Sequence, residues 1–218
     1  MSASKRGILI SFEGTEGSGK STLMNRLAQQ LELLGLTTRA TREPGGTPVA
    51  EKIRSLLLHS SMDPWTELFL YEAARAEHLA QTIHPALEKG EIVLCDRFTD
   101  STLAYQAHAR GLPWKKVELL NQLATQGIQP DFVVFLDIDP ETGLSRAKDP
   151  NRFEKEGVEF QKKVRSGFLK ARLENSKKAT KKKPQWITLK VERYTPDQLT
   201  QILIQRIKHQ TEQVRGHD

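Results

Sequence analysis

The chain has 218 residues, a single cysteine and a formal charge of +6, from 33 Lys and Arg against 27 Asp and Glu. That length suits one domain burying about 70% of its unfolded surface, a lone cysteine excludes an intramolecular disulfide, and no apolar run approaches the ~20 residues needed to cross a bilayer. The positive balance suits phosphorylated ligands and also permits nucleic-acid contact, which composition does not separate.

Ile8-Leu9-Ile10-Ser11-Phe12 reads as a buried strand. It leads into Gly14-Thr15-Glu16-Gly17-Ser18-Gly19-Lys20-Ser21, which fits the phosphate-loop pattern G-x-x-x-x-G-K-[ST] at every fixed position. Glycines there let the backbone wrap a polyphosphate, so that successive N–H groups and the positive end of the next helix face the anion. Lys20 adds a movable ammonium, and Ser21 a hydroxyl suited to Mg²⁺, with Thr22 beside it as a substitute. Leu23, Leu27, Leu31 and Leu34 predict a helix with one apolar face, stopped by Gly35. A glycine-rich turn before an ordinary helix is the plainer alternative. The strand and helix on either side favour nucleotide binding.

Thr37–Thr41 resembles a second strand and runs into Arg42-Glu43-Pro44-Gly45-Gly46-Thr47-Pro48. Here Pro44 keeps Glu43 extended, the two glycines permit close backbone approach, and Thr47-Pro48 caps a helix to about Leu58. Arg42 is a phosphate-binding candidate or an ordinary surface residue. Asp63-Pro64 repeats the cap and opens a helical pattern that Pro85 is expected to kink or end. Tyr71 and Arg75 are four apart on it and share a face, so both can meet one flat ligand. On spacing alone, a boundary tyrosine and a surface ion pair are the simpler reading.

Glu91–Asp96 is a third strand ending in a carboxylate, a Walker-B-like pattern that makes Asp96 a magnesium-ligand candidate beside Ser21. Cys95 falls within its apolar run and is expected to be packed inside. Helices follow at Ser101–Gln106 and from Trp114 to about Thr125. Phe132–Asp137 is a fourth strand, and Asp139-Pro140 caps the next helix. The charged run from Arg146 through Lys148 to Arg152, placed in a segment 146–157, suits a mobile lid over phosphates or a solvent-exposed connection. Phe160, Val164, Phe168 and Leu169 read as a core stripe. The basic cluster Lys177–Lys183 lacks interleaved aromatics, which favours a solvated helix end over nucleic-acid contact. Trp186–Lys190 is a fifth strand, and Thr195-Pro196-Asp197 opens a last helix. Strands alternating with helices over 1–218, without repeat or linker, imply one three-layer domain with a parallel sheet. The six histidines are too scattered for a metal cluster, which leaves magnesium held through nucleotide phosphates.

Taken together, Phe12–Ser21, Thr41–Thr47, Tyr71 to Arg75, Asp96-Arg97-Phe98 with Ser101 and Tyr105-Gln106, and the arginine-bearing lid resemble the bacterial thymidylate kinases. Those enzymes transfer the γ-phosphoryl of ATP to dTMP. The resemblance implies a P-loop α/β/α fold with five parallel strands and a homodimer, while the single cysteine and the lack of a membrane-length apolar run lead to the expectation of a cytoplasmic location. It also implies site roles. Glu16 is the loop acid near the acceptor, Arg42 and Arg97 hold the acceptor phosphate, Tyr71 stacks on thymine, and Arg75 bonds the base. Thr102, Tyr105 and Gln106 line the rest of the pocket, while Lys20 with Arg146 or Arg152 neutralises the transferring phosphoryl. Phe98 stands where relatives commonly carry tyrosine or histidine, and Gly17 stands where some carry an arginine. Two rivals remain open: a kinase for another small molecule, and a basic ATP-binding interaction protein without catalysis. The chain lacks the Asn-Lys-x-Asp motif of many GTPases.

Overall fold

The computed structural model describes residues 6–146, 152–179 and 183–215, without the side chains of 154 and 209–215. Strands β1 (Ile8–Glu13), β2 (Thr38–Arg42), β3 (Ile92–Asp96), β4 (Phe132–Asp137) and β5 (Gln185–Lys190) form one parallel sheet in the order β2-β3-β1-β4-β5. β3 lies on one side of β1 and β4 on the other, and such sheets bind ligands in the crevice outside their carboxyl ends. The register puts Asp96 opposite both Phe12 and Arg42, and Glu13 opposite Phe135. Arg42, Glu13 and Asp96 therefore reach one edge together.

Alternation along the strands fills both faces. Ile10 and Phe12 meet Leu23, Leu27 and Leu31 of α1 (Lys20–Leu33) together with Leu199, Leu203 and Ile207 of α10 (Pro196–Arg215). On the opposite face Leu9, Val93 and Cys95 pack on Leu79, Ile83, Leu87 and Phe98, and Phe135 packs among Tyr105, Phe160 and Phe168. Each such side chain contributes about 1.5–3 kcal/mol on burial, so the two apolar faces outweigh any local propensity.

The caps form as the sequence reads. Thr47 Oγ1 accepts from Ala50 N at the start of α2 (Pro48–His59), Asp63 from Trp65 N at α3 (Pro64–His78), and Asp139 from Glu141 N and Thr142 N at α7 (Pro140–Ser145). Gly35, at φ 75°, closes α1 through Leu36 N to Leu31 O at 3.0 Å. Two expectations fail. α3 passes through a π-helical turn, Leu79–Ile83, into α4 (His84–Glu88), so Pro85 is absorbed within the helical run. The wider turn has already interrupted the regular bond ladder at the point where proline cannot donate. Leu169 is 39% exposed, because the buried stripe of α9 (Gly157–Lys177) runs Phe160, Val164, Phe168, Ala171 and leaves the next position outward.

α5 (Thr99–Thr102) runs into a π-helical segment, Leu103–Ala109, and α6 (Trp114–Ala124) follows. Gly167 of α9 touches that segment, since a Cβ there would lie 2.7 Å from Ala104 Cα. α8 (Arg152–Lys155) is a single turn. Lys148 and much of the Lys177–Lys183 cluster lie outside the described residues.

Candidate active site

The loop between β1 and α1 has Gly14 at φ 152°, Gly17 at φ 67° and Gly19 at φ 86°. Lys20 folds back over it, with Nζ donating to Gly14 O at 3.3 Å and Thr15 O at 3.1 Å. Burial pushes the Lys20 ammonium below its ordinary value, and nearby Arg97 adds to this. At the next residue, Ser21 Oγ donates to Asp96 Oδ2 at 2.6 Å, so the two proposed magnesium ligands already adjoin. Thr22 lines the same cleft, and Thr15 Oγ1 is buried without a partner among the described residues. α7 supports the loop from beneath. A Cβ on Gly17 would lie 1.9 Å from Gly143 O, and one on Gly143 would lie 2.5 Å from Glu16 O. No side chain, arginine included, fits at position 17 without moving α7. Gly17→Ala is therefore expected to lose roughly 1–3 kcal/mol of stability and to raise the KM for ATP. A variant matching wild type in both Tm and KM would contradict this packing.

At the end of β3 the chain turns sharply. Arg97 sits at φ 70°, a strained conformation for a side-chain-bearing residue, held by Arg97 N to Phe12 O at 2.9 Å. Its guanidinium donates to Gly14 O at 3.1 Å and to Glu16 Oε1 at 2.6 Å, and lies 5.0 Å from the centre of the Tyr105 ring. Tyr105 donates its hydroxyl to the same Glu16 oxygen at 3.0 Å. Burial opposes ionisation of Glu16, but Arg97 and Lys20 outweigh it and hold the carboxyl below its usual range.

Glu13 lies behind this group, fully buried, accepting from Phe98 N at 2.9 Å and Ser101 Oγ at 2.6 Å. Burial, then the charge of Asp100, pushes its carboxyl up to about 8. The folded value lies above the unfolded one, so the native chain holds a proton that the unfolded chain releases. The stability this contributes is complete below the ordinary carboxyl value of 4.5 and is lost as pH rises through about 8. Glu13→Gln is expected to flatten the decline of unfolding free energy between pH 5 and 8, by up to about 1.4 kcal/mol per pH unit. Denaturant titrations giving equal slopes for variant and wild type would contradict the shift.

Arg75 departs from the simple surface reading. It is 2% exposed and donates to Glu43 Oε2 at 2.8 Å, to both Glu72 oxygens at 3.0 Å, to Asn121 Oδ1 at 2.7 Å and to Phe98 O at 3.1 Å. Glu43 also meets His78 Nδ1 at 3.1 Å. Burial raises Glu72 despite Arg75, whereas Arg75 and His78 overcome burial and lower Glu43, which makes Glu43 the principal counter-ion. Glu43, His78 and Cys95 present ligand atoms within 4.8 Å of one another, a grouping the scattered sequence positions did not suggest. Glu43 is committed to Arg75, His78 Nε2 meets Thr41 Oγ1 at 2.6 Å, and burial pushes the Cys95 thiol up, so the cluster is hydrogen-bonded packing.

Two clefts adjoin at the sheet edge. One is lined by Tyr71, Arg75, Thr102, Tyr105, Gln106 and Phe153, among others. The second follows the loop from Glu16 to Thr22 and includes Arg42 and Asp96. Glu16, Glu43, Arg54 and Arg97 belong to both. Thr102 Oγ1 is buried in the first without a partner among the described residues. Arg42 stands at the rim of the second, paired with Glu51 at 2.9 Å. Arg146 Nη1 comes within 3.5 Å of Gly17 O at the phosphate loop. Arg152 instead donates to Glu67 at 2.7 Å, beside Phe153 of the first cleft. Sequence reasoning missed Arg54 and Phe153 as wall residues, since on their helices they look like ordinary surface or core positions.

A glycine loop wrapping the amino end of α1, beside a carboxylate–hydroxyl pair and a second concave cleft, defines a phosphate-loop nucleotide-binding enzyme with a site for an acceptor. The family model for thymidylate kinase matches residues 12–192. The chain belongs to the thymidylate kinase family. It is 50% identical over 175 residues to the thymidylate kinase of Pelobacter propionicus, covering 75% of this chain and 80% of that one. It is 50% identical over 172 residues to that of Syntrophotalea carbinolica, covering 73% and 80%. A crystal structure of thymidylate kinase from Ehrlichia chaffeensis superposes with a TM-score of 0.74 at 32% identity, covering 93% of this chain and 99% of that one. No described helix is long and apolar enough to cross a membrane.

Proposed function

We infer that this enzyme transfers the γ-phosphoryl of ATP to dTMP, giving ADP and dTDP. The observation that carries the reading is the shared wall of the two clefts, where Glu16 and Arg97 stand between the phosphate loop and the cavity. A nucleoside monophosphate suits a cleft lined by aromatic rings and a few polar side chains. Tyr71 offers a ring face to the base, Arg75 and Gln106 line its polar edge, and Thr102 Oγ1 supplies a hydroxyl that needs a partner. Arg97 and Arg42 take the acceptor phosphate, with Glu16 and Tyr105 keeping Arg97 aimed until that phosphate arrives.

Catalysis here is positioning and charge, with no covalent enzyme intermediate. Lys20 swings from its loop carbonyls to the donor phosphates. Ser21 and Asp96 are hard oxygen donors that fit Mg²⁺, and the ion when bound neutralises β- and γ-phosphate charge. Because Gly17 leaves no room for an arginine in the loop, Arg146 supplies the guanidinium on the donor side. Arg146→Ala should lower kcat by about 10²-fold or more at saturating substrates. A variant changing only the KM for ATP would reduce Arg146 to a binding role.

A cytoplasmic location and a homodimer complete the reading. Leu56 of α2, Phe69 of α3, and Leu119 and Leu123 of α6 are 52–64% exposed, on helices that pack on one another, and a second copy of this chain would cover them. Sedimentation equilibrium should give twice the monomer mass. The activity itself is tested by product analysis, in which ATP and dTMP must yield ADP and dTDP in equal amounts. Absence of dTDP would overturn the assignment.

A further inference from the structure

Glu67 lies on α3 one turn before Tyr71 and two turns before Arg75, and its carboxylate is 1% exposed. It accepts from Gln106 Nε2 at 2.8 Å, from Arg110 at 3.4 Å and from Arg152 Nη2 at 2.7 Å. Three chain segments therefore meet on one buried acid. Of the two cations Arg152 is closer by 0.7 Å, and Arg110 is shared with Glu156 Oε1 at 2.6 Å. A buried carboxylate is costly unless charge-paired, so Glu67 depends on α8 being docked against α3.

The docking reaches the acceptor cavity. The Arg152 guanidinium lies 4.6 Å from the ring centre of Phe153, which is 3% exposed, edge-on to Tyr105 at 5.7 Å and 6.4 Å from Tyr71. Phe153 and Gln106 both line the cavity. One carboxylate thus fixes the amide of Gln106 and, through Arg152, the ring that closes the wall opposite. A ligand touching Gln106, Tyr71 and Phe153 binds the docked arrangement better than the undocked one. By linkage it must favour docking by the same factor.

We propose that Glu67 is a positioning residue that couples base binding in the acceptor cavity to docking of α8. The inference rests on the cavity being the dTMP site. Neither Glu67 nor Arg152 lines the cleft along the phosphate loop, so the effect is on acceptor affinity and on the order of α8, with donor binding spared.

The test measures dTMP affinity by calorimetry without ATP, ATP affinity without dTMP, and amide hydrogen exchange in the peptide spanning 152–160 with and without dTMP. Wild type, Glu67→Gln, Arg152→Gln and the double variant are compared. In wild type dTMP should slow exchange in α8. Each single variant should bind dTMP roughly tenfold more weakly and lose that protection, ATP affinity should stay within about twofold, and the double variant should be no worse than the singles. Unchanged dTMP affinity, additive losses, or an equal fall in ATP affinity would overturn the proposal. Should Glu67→Gln not fold, Arg152→Gln alone decides, by retaining or losing both dTMP affinity and protection. Wild-type protein that fails to bind dTMP removes the substrate reading, an outcome distinct from wild-type binding that the variants share.

Discussion

Lys20→Ala is expected to reduce turnover of ATP and dTMP by about 10²–10³-fold or more while leaving the fold intact. The two halves of that expectation have separate causes. In the free enzyme Lys20 is 7% exposed and, among the described residues, bonded only to loop groups, Gly14 O, Thr15 O and Ser18 Oγ. Its charged form is disfavoured by burial and by Arg97, so the folded chain gains little from it. The charge is placed for the moment when negative charge spreads over the transferring phosphoryl, where removing one aimed donor is known to cost several kcal/mol. A Tm within a few degrees of wild type together with near-complete loss of kcat is the expected pair of results. Wild-type turnover in the variant would remove Lys20 from the mechanism.

Arg75→Ala is expected to act on stability first. The substitution leaves Glu43 and Glu72 buried beside each other without their cation, a class of change that costs about 3–5 kcal/mol. For a chain of this size that is roughly 10 °C in Tm. Glu43 still has His78 at 3.1 Å, which limits the loss and places the expected value nearer the lower end. The same substitution should also erode discrimination between dTMP and dCMP, because a polar edge built to bond a base is then left incomplete. Calorimetric unfolding and the ratio of kcat/KM for the two nucleotides are both needed. A loss under 1 kcal/mol would contradict the buried pairing, and an unchanged ratio would take Arg75 out of base recognition.

Much of the frame was legible because it rests on local chemistry. Four apolar runs and the Thr37–Thr41 stretch gave five strands, and four proline-led caps gave four helix starts. The glycine pattern gave the loop, since glycine adopts the positive φ values found at positions 14, 17 and 19 without the strain other residues carry there. What stayed hidden depends on contacts distant in sequence. Arg75 reads as a surface residue when only its own helix is considered, yet its partners include Glu43, 32 residues away, and Asn121, 46 away. Glu67 looks like a first-turn acid on α3 and becomes a hub only when Arg152, 85 positions later, folds over it. Arg152 itself seemed interchangeable with Arg146 from composition, and the structure sends the two to opposite ends of the site. Leu169 was misread because a stripe at spacing four admits one extra apolar neighbour without showing which way it turns. The clash that makes Gly17 obligatory comes from Gly143 on another helix, and no local pattern records it.

The most direct test of the central claim is ADP release from ATP and Mg²⁺ in the presence, one at a time, of each common nucleoside monophosphate, run with wild-type enzyme and with Lys20→Ala. ATP consumption should rise steeply with dTMP, far less with the other monophosphates, and not at all in the variant. Equal stimulation by dCMP or a purine monophosphate, or dTMP-dependent consumption that survives Lys20→Ala, would contradict the assignment.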